Sequence, residues 1–411
     1  MDQIRLDDLR NTVLGPQHKS VPPTAWGMTI DKFLVTEPRL SQFATPLLTI
    51  DETALSHNVI AMASWASDRN MLLAPHGKTT MAPQLWRRQL DAGAWGITLA
   101  TPWQAQIARD FGVRRIMLAN ALVDAVSSVW LRDEVSNDPD FEFYCWADSV
   151  ATVELMAHHL AKTARPVAVL VELGFPGGRC GARTVDEAVA VAEAISATPH
   201  LALAGVAGYE GALGHDRSPD ALNRIAAYLD DLAALHNRLQ DLLPPGSLVT
   251  AGGSAYPDLV AERLAAVAAG EARVVLRSGA YITHDDGFYA HISPFADAVE
   301  PHNPVHLHPA IHGWARIISV PEPGLALLDA GKRDLPYDEG LPVVGHEPVA
   351  AMNDQHTFVR GEQTESMRIG EIMRLGLSHP CTAFDKWRLI PVVANHGEAD
   401  PQVLDLIHTF F

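Results

Sequence analysis

Short apolar runs recur through the middle of the chain, separated by segments with one polar face. The runs are Met71–Ala74, Gly96–Ala100, Ile116–Asn120, Phe141–Trp146, Val167–Leu173, Leu203–Tyr209, Leu248–Ala251 and Val274–Leu276. Each is continuous rather than alternating, which is how a strand buried on both faces reads. Eight such runs alternating with helical segments predict an α/β fold, a closed parallel (β/α)8 barrel in preference to an open doubly wound sheet.

The helix starts agree with that count. Thr101-Pro102-Trp103-Gln104 reads as a cap, a proline at the first helical position and a capping-box glutamine. Thr184-Val185-Asp186-Glu187 is a second capping box. Ser218-Pro219-Asp220 opens a long helix, with Leu222, Ile225, Leu229, Leu232, Leu235 and Leu239 at helical spacing, that is predicted to run to about Leu243.

After about Tyr289 the pattern changes. Ala315–Val320 and Leu325–Asp329 are strand-like and broken by Pro and Gly turns, and no long helical period follows. Three regions are expected: an N-terminal arm over 1–44 packing with the β domain, a barrel over 45–289, and a second, mainly β domain over 290–411. Leu47–Ile50 reads as a short strand.

Composition narrows the function. Hydrophobic residues make up 47% and charged residues 19%, which supports a large core and excludes disorder. The net charge of −18, with no block of Lys or Arg, argues against a nucleic-acid partner. Three cysteines are no disulfide framework and fit a reducing compartment. The acidic start lacks a signal-peptide core, and no apolar stretch reaches about 18 residues, so a cytoplasmic protein with no membrane span is expected.

Chemistry in such barrels sits at the C-terminal ends of the strands. Lys78, in Pro75-His76-Gly77-Lys78-Thr79-Thr80, follows the first run; a lysine there suits a covalent link to an aldehyde cofactor, although most lysines are merely solvated. The loop Glu172–Gly181 carries Arg179 among glycines, where a guanidinium could approach an anion; a tight turn with an exposed arginine is the plainer reading. Cys180 reads as a buried small residue. Tyr209-Glu210-Gly211 closes the sixth run, with Tyr209 placed to contact a ring or to fill the core.

Thr250-Ala251-Gly252-Gly253-Ser254 and Arg277-Ser278-Gly279-Ala280-Tyr281 end the last two runs. Glycines there admit an anion to backbone N–H groups, and phosphate sites recur after strands seven and eight of such barrels. His379 and Cys381 are one residue apart, so on an extended backbone both side chains point the same way and could share an ion, zinc by the donor types. His302, His306, His308 and His312 read as scattered surface histidines.

Taken in order, the Lys78 segment, the Arg179-Cys180-Gly181 loop, Tyr209-Glu210-Gly211 and the two glycine loops resemble the D-threonine aldolases and eukaryotic-type D-serine dehydratases. These are fold-type III pyridoxal-phosphate enzymes with an alanine-racemase-like barrel. The resemblance covers roughly residues 45 to 390 and implies roles. Lys78 would hold pyridoxal 5′-phosphate and serve as the catalytic base. Arg179 and Tyr209 would contact the cofactor. Gly253, Ser254, Gly279 and Tyr281 would line its phosphate. His379 and Cys381 match the metal pair of the dehydratase branch, where the aldolases have an aspartate in place of the cysteine. The metal would be zinc, with manganese or another divalent ion as alternatives.

The expected activity is a lyase acting on a 3-hydroxy-D-amino acid, by D-serine dehydratase-type β-elimination to a 2-oxo acid and ammonia. Aldol cleavage of D-threonine or D-3-hydroxyaspartate is the alternative; racemisation and cofactor binding without turnover are further readings. The resemblance also implies a homodimer.

Overall fold

The computed structural model describes residues 4–345 and 347–411, in two compact units. Ala63–Lys78 and Gln89–Gly279 make up most of one; Arg5–Met62, Thr79–Arg88 and Ala280–Phe411 form the other.

In the first unit the eight predicted runs are eight parallel strands. Their order is Met71–Leu73, Arg273–Leu276, Leu248–Ala251, Leu201–Gly208, Val167–Leu173, Glu142–Ala147, Arg115–Ala121 and Ile97–Leu99. From Ile97–Leu99 onward each strand pairs with the next in sequence, and the last pairs with the first. The two remaining edges are joined just beyond Leu73. Trp95 N–H donates to Leu73 O at 2.7 Å, Thr98 N–H donates to Pro75 O at 2.9 Å, and His76 and Thr98 form a parallel bridge. The barrel is closed, as the apolar pattern predicts. Ala74, Met117, Trp146, Leu170, Ala207, Leu248 and Val275 fill its centre, each at most 2% exposed.

The helices start where the sequence places them. Thr101, Asp124, Ser149, Thr184 and Ser218 each accept the N–H three residues on. The reciprocal half of the capping boxes is displaced by one residue: Gln104 accepts from Ala100 N–H and Glu187 from Arg183 N–H. The long helix spans Pro219–Arg238 and stops short of the predicted end, its last carbonyls closed by the N–H of Leu239.

The second unit is built on an extended sheet. Leu47–Asp51 lies at its centre, antiparallel to Ile311–Glu322 and parallel to Leu389–Val393. Ile372–Gly376 flanks the long strand, and Val403–His408 forms a hairpin with Leu389–Val393. The N-terminal segment adds to this sheet through Val403 N–H to Pro38 O at 2.8 Å and Leu40 N–H to Pro401 O at 3.0 Å. Among the described residues no helix is long and apolar enough to cross a membrane.

One glycine is fixed by the barrel ladder. Gly205 lies at φ +148° beside a register shift, and a Cβ there would stand 1.9 Å from the Leu248 carbonyl oxygen. The expected result for Gly205→Ala is a loss of more than about 1 kcal/mol. Urea unfolding of the two proteins measures it; equal midpoints would mean that the strand yields at no cost.

Candidate active site

The first unit gathers charged groups at the C-terminal ends of its strands. Lys78 sits in a 3-10 turn, Gly77–Thr79, directly after the first strand's hydrogen-bonded stretch, and its side chain is exposed. His76 is held well below the usual imidazole range, by burial first and then by Lys78, Arg277 and Arg179. The positive charges of all three thus act on one ring, whose buried Nδ1 has no hydrogen-bond partner.

Arg277 follows the last strand and is buried. Its Nη1 donates to Thr250 Oγ1 and its Nη2 to Gly208 O, both at 2.6 Å. Arg179 lies 4.6 Å from the centre of the Tyr209 ring, within cation–π range. The loop carrying Arg179 is tied by Arg183, which donates to the carbonyls of Gly178, Cys180 and Gly181. Cys180 is exposed on this loop, not buried as its small size suggested. The loop is held by backbone at its two ends, and its tip is left in solvent.

The two glycine loops meet each other. Ser278 Oγ donates to Gly253 O at 2.8 Å, and Gly279 N–H donates to Ser254 Oγ at 3.2 Å. A Cβ on Gly253 would press on the Tyr209 ring at 3.0 Å, so that position admits only glycine without displacement. The structure adds a residue that the sequence reading passed over. Glu210 is fully buried, and its carboxylate accepts Gly252 N–H at 3.0 Å and Gly253 N–H at 2.7 Å. The Gly253 amide is therefore already engaged, and this loop offers an anion the Ser254 hydroxyl and close approach.

Glu172 was passed over too. Its carboxyl is pushed up to about 7, by burial first and against the opposing field of Arg277. An isolated acid within a strand gives no sequence signal distinct from a solvated one.

The second unit brings His379 and Cys381 together by a different route from the extended backbone the sequence suggested. His379 lies at φ +67°, and Cys381 opens a short helical turn, Cys381–Phe384. His379 Nδ1 is 2.7 Å from Asp338 Oδ2, and its N–H donates to Asp285 Oδ2 at 2.9 Å. Asp285 Oδ1 also accepts the N–H of Gly287 and Tyr289. Cys381 Sγ is 3.4 Å from Thr79 Oγ1. Burial disfavours charge on His379, but its hydrogen bonds to Asp338 and Cys381 outweigh that and raise it to about 10. Among the described residues no group of three or more His, Cys, Asp or Glu is placed to hold a metal. Tyr281 is buried in this unit. His312 is also buried, its ring 4.2 Å from that of His396, and is not the surface histidine expected.

The model of the alanine racemase N-terminal domain matches residues 50–272, and that of the putative serine dehydratase domain matches residues 310–393. D-threonine aldolase from Arthrobacter sp is 26% identical over 353 residues, covering 84% of this chain and 88% of that one. The structure of D-threonine aldolase from Filomicrobium marinum superposes with a TM-score of 0.77 at 24% identity, covering 90% and 95%. A cysteine-to-alanine variant of D-threo-3-hydroxyaspartate dehydratase in the metal-free form superposes with a TM-score of 0.70 at 20% identity, covering 91% and 100%.

The shifted Glu172 makes a pH prediction. Its folded value of about 7 lies above the unfolded value of roughly 4.3, so its contribution to stability is full at low pH and declines as pH rises through that window. Glu172→Gln should therefore gain on the wild type between pH 4 and pH 8, by on the order of 2–3 kcal/mol. Urea unfolding at the two pH values reads the difference, and a constant gap would remove the shifted carboxyl.

Proposed function

Because the chain belongs to the alanine racemase-like, fold-type III family of pyridoxal-phosphate enzymes, we propose that it is a pyridoxal-phosphate- and metal-dependent lyase of 3-hydroxy-D-amino acids. Elimination of the β-hydroxyl, giving a 2-oxo acid and ammonia, is the reaction that its residues favour. The observation that carries this reading is an imidazole and a thiol two residues apart on one turn, His379 at φ +67° and Cys381 at the start of the helical turn that follows.

The residues fit both groups. A cofactor with an anionic phosphate and a phenolate suits a rim that carries Lys78, Arg179 and Arg277, whose positive charges all act on the buried His76 ring. Ser254 and Gly279 would line the phosphate, while Gly253 leaves room for it. An imidazole and a thiolate are zinc-type donors, and two of them leave positions for water and a substrate oxygen. A structural neighbour, the cysteine-to-alanine variant of D-threo-3-hydroxyaspartate dehydratase, is described in a metal-free form, which supports a metal in an enzyme of this fold.

Lys78 would hold the cofactor's aldehyde until the substrate amine replaces it. A bound cofactor would supply acidity to the α-proton by conjugation, and the amine of Lys78 would be the base that takes it. Arg179 would keep the phenolate ionised, and Tyr209, fixed beneath that guanidinium, limits where a ring can lie. His379 and Cys381 would hold the divalent ion, which supplies Lewis acidity for a hydroxyl that leaves poorly on its own. We expect a homodimer working in the cytoplasm, where the free cysteines stay reduced.

Aldol cleavage is the second reading, favoured by the D-threonine aldolase relative. The products separate the two: a 2-oxo acid with ammonia on one hand, glycine with an aldehyde on the other. The expected outcome with D-serine and D-threo-3-hydroxyaspartate is ammonia release that a chelator abolishes and zinc restores. Lys78→Ala should lose the cofactor's visible absorbance and all turnover. A variant that keeps the wild-type spectrum would sink the cofactor assignment.

A further inference from the structure

Asp338 holds two residues of the turn that carries His379 and Cys381. Its Oδ2 meets His379 Nδ1 at 2.7 Å, and its Oδ1 accepts the Thr382 hydroxyl at 2.6 Å. Each carboxylate oxygen meets one group of the turn, which makes Asp338 a support for His379; among the described residues no third His, Cys, Asp or Glu is grouped with His379 and Cys381 to hold a metal. The need for a support is visible in the backbone. His379 lies at φ +67°, a left-handed conformation that costs a residue with a Cβ about 1–2 kcal/mol. Asp285 grips the backbone N–H of the same residue at 2.9 Å. Ring and backbone are thus held separately, by two carboxylates from two segments distant in sequence.

We infer that Asp338 is a positioning residue of the metal site, fixing the tautomer and the direction of the His379 ring. This rests on the metal reading given above. With Nδ1–H donated to the carboxylate, Nε2 is the nitrogen presented to an ion, and the neighbouring negative charge makes it a better donor. The Thr382 bond keeps the carboxylate from following the ring if the ring turns. Removal of such a support typically costs 10- to 100-fold in metal affinity.

The test is zinc affinity of the full-length, cofactor-loaded protein after chelator stripping, measured by competition with a chromophoric chelator. Wild type, His379→Ala, Asp338→Asn and Thr382→Val are compared. The inference expects tight binding by wild type, loss of it in His379→Ala, a fall of about 10- to 100-fold in Asp338→Asn, and a smaller fall in Thr382→Val. Cobalt(II) substitution gives a second readout: the ligand-field spectrum of Asp338→Asn should differ from wild type. Wild-type affinity and spectrum in Asp338→Asn would overturn the inference and leave the metal reading standing. Equal zinc binding by wild type and His379→Ala would overturn the metal reading and the inference with it. If Asp338→Asn does not fold, Thr382→Val decides, and an unchanged affinity there counts against the inference.

Discussion

The position of Lys78 depends on one seam of backbone hydrogen bonds. The first strand is held along both edges right up to the turn that carries this lysine. On one side Ala74 N–H donates to Leu276 O at 2.8 Å. On the other, Leu73 O, Ala74 O and Pro75 O are taken by Trp95 N–H, the Thr98 hydroxyl and Thr98 N–H. A parallel sheet left open there would expose a row of unmet carbonyls and donors. Closure leaves no slack, so the chain can turn only after Pro75, at the buried Gly77. The same ladder ends the last strand at Leu276, and Arg277 is the next residue. Closure of the barrel therefore sets the lysine and the buried arginine together.

Burying Arg277 needs compensation that the strands alone do not give. Its two hydrogen bonds go to neutral oxygens, which satisfy the donors but not the charge. Glu210 and Glu172 supply the opposite charge, and both act on Arg277. The two acids differ in what holds them. Two backbone N–H groups fix the Glu210 carboxylate, whereas burial pushes Glu172 towards the neutral form. The rim is thus only partly neutralised, which is the electrostatic condition for holding an anion at a barrel mouth.

The eight barrel strands were legible because burial on both faces leaves an uninterrupted apolar run, and caps such as Thr184 and Ser218 are local signals. The strand Leu47–Asp51 was legible as a strand, but its sheet was not. Its partners begin at Ile311 and Leu389, and nothing in five residues names them. Lys78, Arg179 and the glycine loops stood out by their place after strands. Glu210, Glu172, Asp285 and Asp338 did not, since a lone acid reads as solvated until its partners are placed. Asp338 and His379 are 41 positions apart, and Asp285 and His379 are 94 apart. The two-residue spacing of His379 and Cys381 singles the pair out, but the extended geometry inferred from it is not what the structure has. A strand would align their side chains by the pleat; here a left-handed residue followed by a helical turn does so.

That difference bears on how each unit specifies its chemistry. In the barrel the positions after the strands are set by ladder hydrogen bonds, which any sequence with the same strand pattern would make. The side chains after the strands can then vary without moving their own backbones. In the second unit the turn at His379 has no ladder to lean on. Its strained backbone persists only because Asp285 takes the main chain and Asp338 the ring, so its geometry is encoded in particular carboxylates. Loss of either would let the residue relax towards an ordinary conformation, turning the imidazole away from Cys381. The fold carries the lysine, and two acids carry the histidine.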